Sequence, residues 1–185
     1  DTIVREARAK GFQLNVHAIG DKAVTRVLDA FERGGVTPAE RFRIEHAQIV
    51  SPADLPRFGR LGVIASMQPT HATSDMPWAE ARVGAARLAG AYAWRSMLDS
   101  HAVVVGGSDF PVEEVPILNG LAAAVSRQDR DGKPEGGWLP QQRVTLEEAL
   151  RFFTVAPAYA SFQEQQRGRI APGFVADLTV FDRAL

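Results

Sequence analysis

Residues 12–35 read FQLNVHAIGDKAVTRVLDAFERGG, and the change of period inside them decides the fold. Phe12–Val16 is a short apolar run of the kind that forms a strand, and Gly11 before it closes the helix-like stretch Thr2–Lys10. From Asp21 the pattern changes. Val24, Val27, Leu28 and Phe31 recur at helical spacing, with Asp21 as N-cap and Gly34-Gly35 as the stop. His17 sits at the joint, just past the strand. The stretch therefore reads as one strand–helix unit with a titratable ring at its turn.

The unit recurs along the chain. Phe42–Glu45 reads as a second strand ending at His46, and Gly62–Met67 as a third running into Gln68-Pro69-Thr70-His71. Ala102–Val105 is a fourth, entirely apolar as strands buried on both faces are, and it leads through two glycines to Asp109. The intervening helices are expected from Ser51-Pro52, interrupted at Pro56, from about Ala79 to Asp99, and over Pro116–Arg127. Ala72–Trp78 and Gln128–Gln141 read as loops. Thr145–Phe153 reads as an additional helix with acidic Glu147 and Glu148 in its first turn, and Asp177–Phe181 as a last strand. Alternating strands and helices imply an α/β fold with a parallel sheet. Four such units are half of an eight-fold barrel, although on the counts alone they also suit a small doubly wound sheet.

Composition narrows the chemistry. Of 185 residues 45% are hydrophobic and 23% charged, ordinary for a globular domain, and the net charge of -1 argues against nucleic acid or an acidic membrane surface as partner. The absence of cysteine removes disulfides and thiolate ligands and directs any metal to His, Asp and Glu. No apolar run has the length of a membrane span, and no signal peptide is visible, so the default compartment is cytoplasmic. Nucleophile elbows, phosphate loops and dinucleotide fingerprints are also missing.

What remains is a set of residues at strand ends, where parallel α/β folds and barrels keep their catalytic groups. His17, His46 and Asp109 are the candidate metal ligands. Each has a structural alternative: a hydrogen-bonded core histidine for the first two, a helix cap for Asp109. A carboxylate directly after a buried apolar run is costly unless it is paired or bound to a cation. His71 is a candidate substrate contact or an exposed loop histidine. Glu45 could support a ligand or pair with Arg43 or Arg41.

Five segments together resemble the amidohydrolase superfamily, and within it family 3, the YtcJ-like metal-dependent hydrolases. They are NVHAIGDKAVTRVLDAFE (15–32), RFRIEHAQIVSPADLPRFGRLGVIASMQPTH (41–71), VVVGGSDFPVEEVPILNGLAAAV (103–125), FFTVAPAYA (152–160) and GRIAPGFVADLTVFD (168–182). The resemblance implies strands five to eight of a TIM-type (β/α)8 barrel over residues 1–165. It implies a terminal β segment, the start of a small β-sandwich, over 166–185. It makes His17, His46 and Asp109 metal ligands at the ends of strands five, six and eight, with Asp109 also the catalytic proton acceptor, and sets His71 beside the substrate. The implied cofactor is one or two divalent metals, zinc foremost. The implied reaction is hydrolysis of an amide, formamide or cyclic C–N bond in a small molecule. The family's His-x-His pair and its metal-bridging residue of strand four have no counterpart in these residues. The expectation is a C-terminal half-barrel, inactive by itself, that self-associates through its exposed surface. An inactive half-barrel, or an α/β binding module with structural histidines, is the competing reading.

Overall fold

The computed structural model describes residues 1–185. Strands β1 (Asn15–Ala18), β2 (Arg43–His46), β3 (Ile64–Met67) and β4 (Val104–Gly106) form one sheet in chain order, every neighbouring pair parallel. Helices α1 (Thr2–Ala9), α2 (Asp21–Arg33) and α3 (Leu55–Leu61) precede β3. Helices α4 (Pro69–Asp75), α5 (Ala79–Val83) and α6 (Trp94–Asp99) lie between β3 and β4, and α7 (Ile117–Ser126), α8 (Leu146–Phe153) and α9 (Val155–Ala160) follow. The unreversed strand order settles the choice between architectures. A doubly wound sheet reverses at a switch point, whereas a barrel winds on in one direction. The sheet is an arc of a barrel.

Register divides the sheet into two faces. Val16, Ile44, Ala65 and Val104 are aligned neighbours, and the last three are buried against a helical layer whose core includes Leu28, Phe31, Phe58, Met97 and Phe152. The adjacent aligned row, His17, Glu45, Ser66 and Val105, carries mostly polar groups and is exposed or half-buried. In β1 the strand sequence NVHA alternates polar and apolar residues, and its burial alternates with it. In the VVV run only Val104 is buried, so the expectation of burial on both faces is not met among these residues.

Several boundaries differ from expectation for identifiable reasons. β1 is Asn15–Ala18, not Phe12–Val16, because its pairing with β2 begins at Asn15↔Arg43; Phe12 is 66% exposed, and His17 lies within the strand. Pro56 does not interrupt a helix but sits in the first turn of α3, where a missing N–H costs nothing. The stretch Ala79–Asp99 is three short pieces. Gly84 at φ 80° and Tyr92 at φ 48° leave helical space, and a Cβ on Gly90 would lie 1.6 Å from the Val50 carbonyl oxygen. Much of the loop Ala72–Trp78 belongs to α4. Asp177–Phe181 is not a strand here: it joins no ladder of the sheet, and Asp177 is held instead by an ion pair with Arg167 at 2.7 Å. No helix is long and apolar enough to cross a membrane.

Candidate metal centre

Each strand end delivers one group to the same place. His46 is the last residue of β2, His71 lies in the first turn of α4 just beyond β3, and Asp109 stands three residues past β4. One ligand atom from each lies within 4.8 Å of the others. The His46 and His71 rings stack, with centroids 5.9 Å apart and planes 9° from parallel. His17 is next to this group without joining it. Its ring meets that of His46 edge-on at 4.6 Å, and its side chain is exposed. The structure therefore brings together His46, Asp109 and His71, the residue set apart as a substrate contact, and leaves His17 at the rim.

The backbone is bent to achieve this. His46, Ala47 and Asp109 have φ of 76°, 45° and 55°, values that L-residues adopt at a cost of about 1–3 kcal/mol each and that cluster at functional sites.

The rings are held from behind. His46 Nδ1 lies 2.9 Å from Gln68 Oε1, while the Gln68 amide nitrogen points to the Ser66 carbonyl at 3.5 Å, so the oxygen faces the ring. An acceptor there puts the proton on His46 Nδ1 and the lone pair on Nε2. His71 Nδ1 is 3.1 Å from Glu113 Oε1, and its Nε2 is 3.6 Å from Asp109 Oδ2. One turn along α4 from His71, Asp75 accepts hydrogen bonds from Gln48 Nε2 at 2.9 Å and from the Tyr92 hydroxyl. Burial pushes the Asp75 carboxyl up, and burial together with Asp75 pushes the Tyr92 phenol well up. This network ties α4 to the segment just after β2. Imidazole nitrogens and a carboxylate converging at this spacing are a donor set that fits a divalent cation. Glu113 also borders a polar cleft of about 460 Å³ between α4 and α7, with Thr70, Thr73, Asn119 and Asp129.

Other singled-out residues have different roles. Glu45 pairs with Arg43 at 3.0 Å. Gly106 makes room for Phe153, whose ring would lie 2.8 Å from an added Cβ. Gln68 and Glu113 were not anticipated. The available signal was their place in the QPTH and SDFPVE segments, one and four residues beyond a strand end and a ligand respectively.

Known proteins align with this arrangement from end to end. The amidohydrolase family profile matches residues 1–185. YtcJ of Bacillus subtilis is 34% identical over 178 residues, 96% of this chain and 34% of the relative. The N-substituted formamide deformylase of Arthrobacter pascens is 32% identical over 189 residues, 99% of this chain and 34% of the relative. The crystal structure of an uncharacterized metal-dependent hydrolase from Pyrococcus horikoshii OT3 superposes with a TM-score of 0.86 at 33% identity, over 99% of this chain and 37% of that one. The chain spans about a third of the length of these relatives. A family match running from the first residue to the last, with relatives above 30% identity over nearly all of the chain, makes the chain a member of the amidohydrolase family.

Proposed function

We propose that this chain supplies one side of the active centre of a metal-dependent hydrolase acting on C–N bonds of small molecules: amide, formamide or cyclic amide. The observation that carries the reading is the convergence of His46, His71 and Asp109 within 4.8 Å at successive strand ends of a parallel arc. Family membership and the relationship to a formamide deformylase support it. His46 and His71 would hold the cation through imidazole nitrogens and Asp109 through a carboxylate oxygen. His17, exposed and edge-on to His46, is the next candidate ligand. Two imidazoles and a carboxylate suit zinc. When bound, the cation supplies Lewis acidity, which polarises a scissile carbonyl and makes water more acidic.

The chain's own residues do the rest. Asp109, 41% exposed and in a left-handed backbone conformation, would take a proton from the attacking water and pass it to the leaving amine. The cleft bordered by Glu113, Thr70 and Asn119 offers room for the rest of the substrate. Self-association through the open sheet edges is part of the same reading for the chain in isolation.

In the complete protein, Asp109→Ala should lower kcat on a formamide or cyclic amide substrate by about 10²–10⁴ while leaving the fold intact, as loss of a general base does. Elemental analysis should find a divalent metal. Unchanged turnover in the variant together with no retained metal would refute the proposal.

A further inference from the structure

His71 has a carboxylate on each side, and the two distances are unequal. Glu113 Oε1 is 3.1 Å from Nδ1, within hydrogen-bond range, whereas Asp109 Oδ2 is 3.6 Å from Nε2, beyond it. The His71 side chain is 9% exposed, so water competes poorly for either nitrogen. A neutral imidazole carries a single N–H, and that proton goes to the nitrogen whose acceptor is in reach.

We infer that Glu113 is a positioning residue: it accepts the Nδ1–H of His71 and leaves the lone pair on Nε2, turned towards His46 and Asp109. The inference rests on reading the cluster as a metal centre, but it concerns a residue outside that cluster. Three further observations support it. A hydrogen bond of 2.8 Å from the Val112 N–H to the Asp109 carbonyl closes the turn between the two carboxylates, so one short segment serves both nitrogens of one ring. Helix α4 is anchored at Asp75 by Gln48 and Tyr92, which keeps His71 in reach of Glu113. His46 is treated alike, its Nδ1 engaged by Gln68 at 2.9 Å, so the two rings turn the same nitrogen inward. A carboxylate acceptor also raises the basicity of the opposite nitrogen, and removing such a partner typically weakens metal binding about 10–100-fold.

The test is the tautomer of His71, read from ¹⁵N-histidine NMR spectra of the chain above the histidine titration range. The four histidines are assigned by single substitution. Wild type should carry the proton on Nδ1 of His71. Glu113→Ala should abolish that preference, and Glu113→Gln, which retains an acceptor oxygen, should preserve it. In parallel, Co²⁺ titrations followed by absorption should show affinity falling about 10–100-fold for Glu113→Ala and much less for Glu113→Gln. A proton on Nε2 in wild type, which needs no variant to observe, overturns the inference, as does a tautomer indifferent to Glu113→Ala. If the tautomer behaves as expected while wild type takes up no Co²⁺, the positioning role stands and the metal-centre reading falls. If Co²⁺ binds but the tautomer is wrong, the reverse holds.

Discussion

Arg127 is the largest charged group that the fold buries completely. It ends α7 in a left-handed conformation, donates from Nε to the Trp138 carbonyl at 2.5 Å and from Nη1 to the Tyr92 carbonyl at 3.0 Å, and stacks 4.3 Å over Trp94. Burial pushes the guanidinium down to about 9, so it stays a cation at neutral pH, compensated by carbonyl dipoles and aromatic faces instead of a carboxylate. It therefore pins both the 128–141 loop and Tyr92, the partner of Asp75 behind the candidate metal centre. Arg127→Ala should cost about 3 kcal/mol, because it orphans two carbonyls and opens a cavity, and Arg127→Leu should cost less by keeping the apolar contact. Urea denaturation midpoints check this; midpoints equal to wild type in both variants would refute the pinning role. At this scale the sequence singled out residues whose chemistry is unusual for their place: His17, His46 and Asp109 after apolar runs as candidate ligands, and His71 after a proline turn as a candidate substrate contact. Glu113, Gln68 and Arg127 were not legible, because polar residues in loops and at helix ends are common and only the fold shows which of them face a ring or a carbonyl.

Helix α8 was the most readable element, since its start depends on residues only three apart. Thr145 Oγ1 accepts from the Glu148 N–H at 3.2 Å and Glu148 Oε2 accepts from the Thr145 N–H at 2.8 Å, a complete capping box. Glu148 also takes a two-pronged ion pair from Arg95 at the start of α6, which joins α8 to that helix. Thr145→Ala should cost about 1 kcal/mol in a thermal or urea melt. The Arg95 guanidinium, with the helix-start donors, holds the Glu148 carboxyl down to about 2 from its ordinary 4.5. A carboxyl whose folded value lies below its unfolded one stabilises the fold above the unfolded value and loses that contribution as pH falls through the folded one. The stability gap between wild type and Glu148→Gln should therefore be open above pH 4.5 and close as pH falls towards about 2. A gap that stays constant across that window would show that Glu148 acts by shape and not by charge. The region from 79 to 99 was the least readable. Its composition suits one helix, but the close approach of Gly90 to the Val50 carbonyl and the left-handed Tyr92 are imposed by distant parts of the chain.

Strand order, more than any single residue, determines the shape of the molecule. Four parallel strands in sequence order curve as a barrel does, and the βα period alone was enough to expect a parallel sheet, though not to choose its winding; pairing supplies that choice. The same arrangement leaves β1 and β4 each with one unpaired edge, and one sheet face carries His17, Glu45 and Ser66 at the surface or half-buried. Next to the Asp109 end of β4, Phe110, Val112, Val115, Ile117 and Leu118 are between 44% and 68% exposed. An apolar cluster beside an open strand edge is a surface that isolated chains cover by association. The 185-residue chain by itself should give a light-scattering mass above that of one chain, rising with concentration. Two lysines placed on the patch, Val112→Lys with Leu118→Lys, should lower it by setting like charges against each other wherever two patches meet, without touching the sheet. Their effect separates the two possible contacts. If the apolar patch drives association, the double variant is monomeric where wild type is not; if the strand edges drive it, the variant associates as wild type does and a proline in the outer edge of β4 is needed to stop it. A chain that stays monomeric at every concentration would mean that the edges and the patch are too short or too polar to recruit a second copy, and the association expected from the open arc would be wrong.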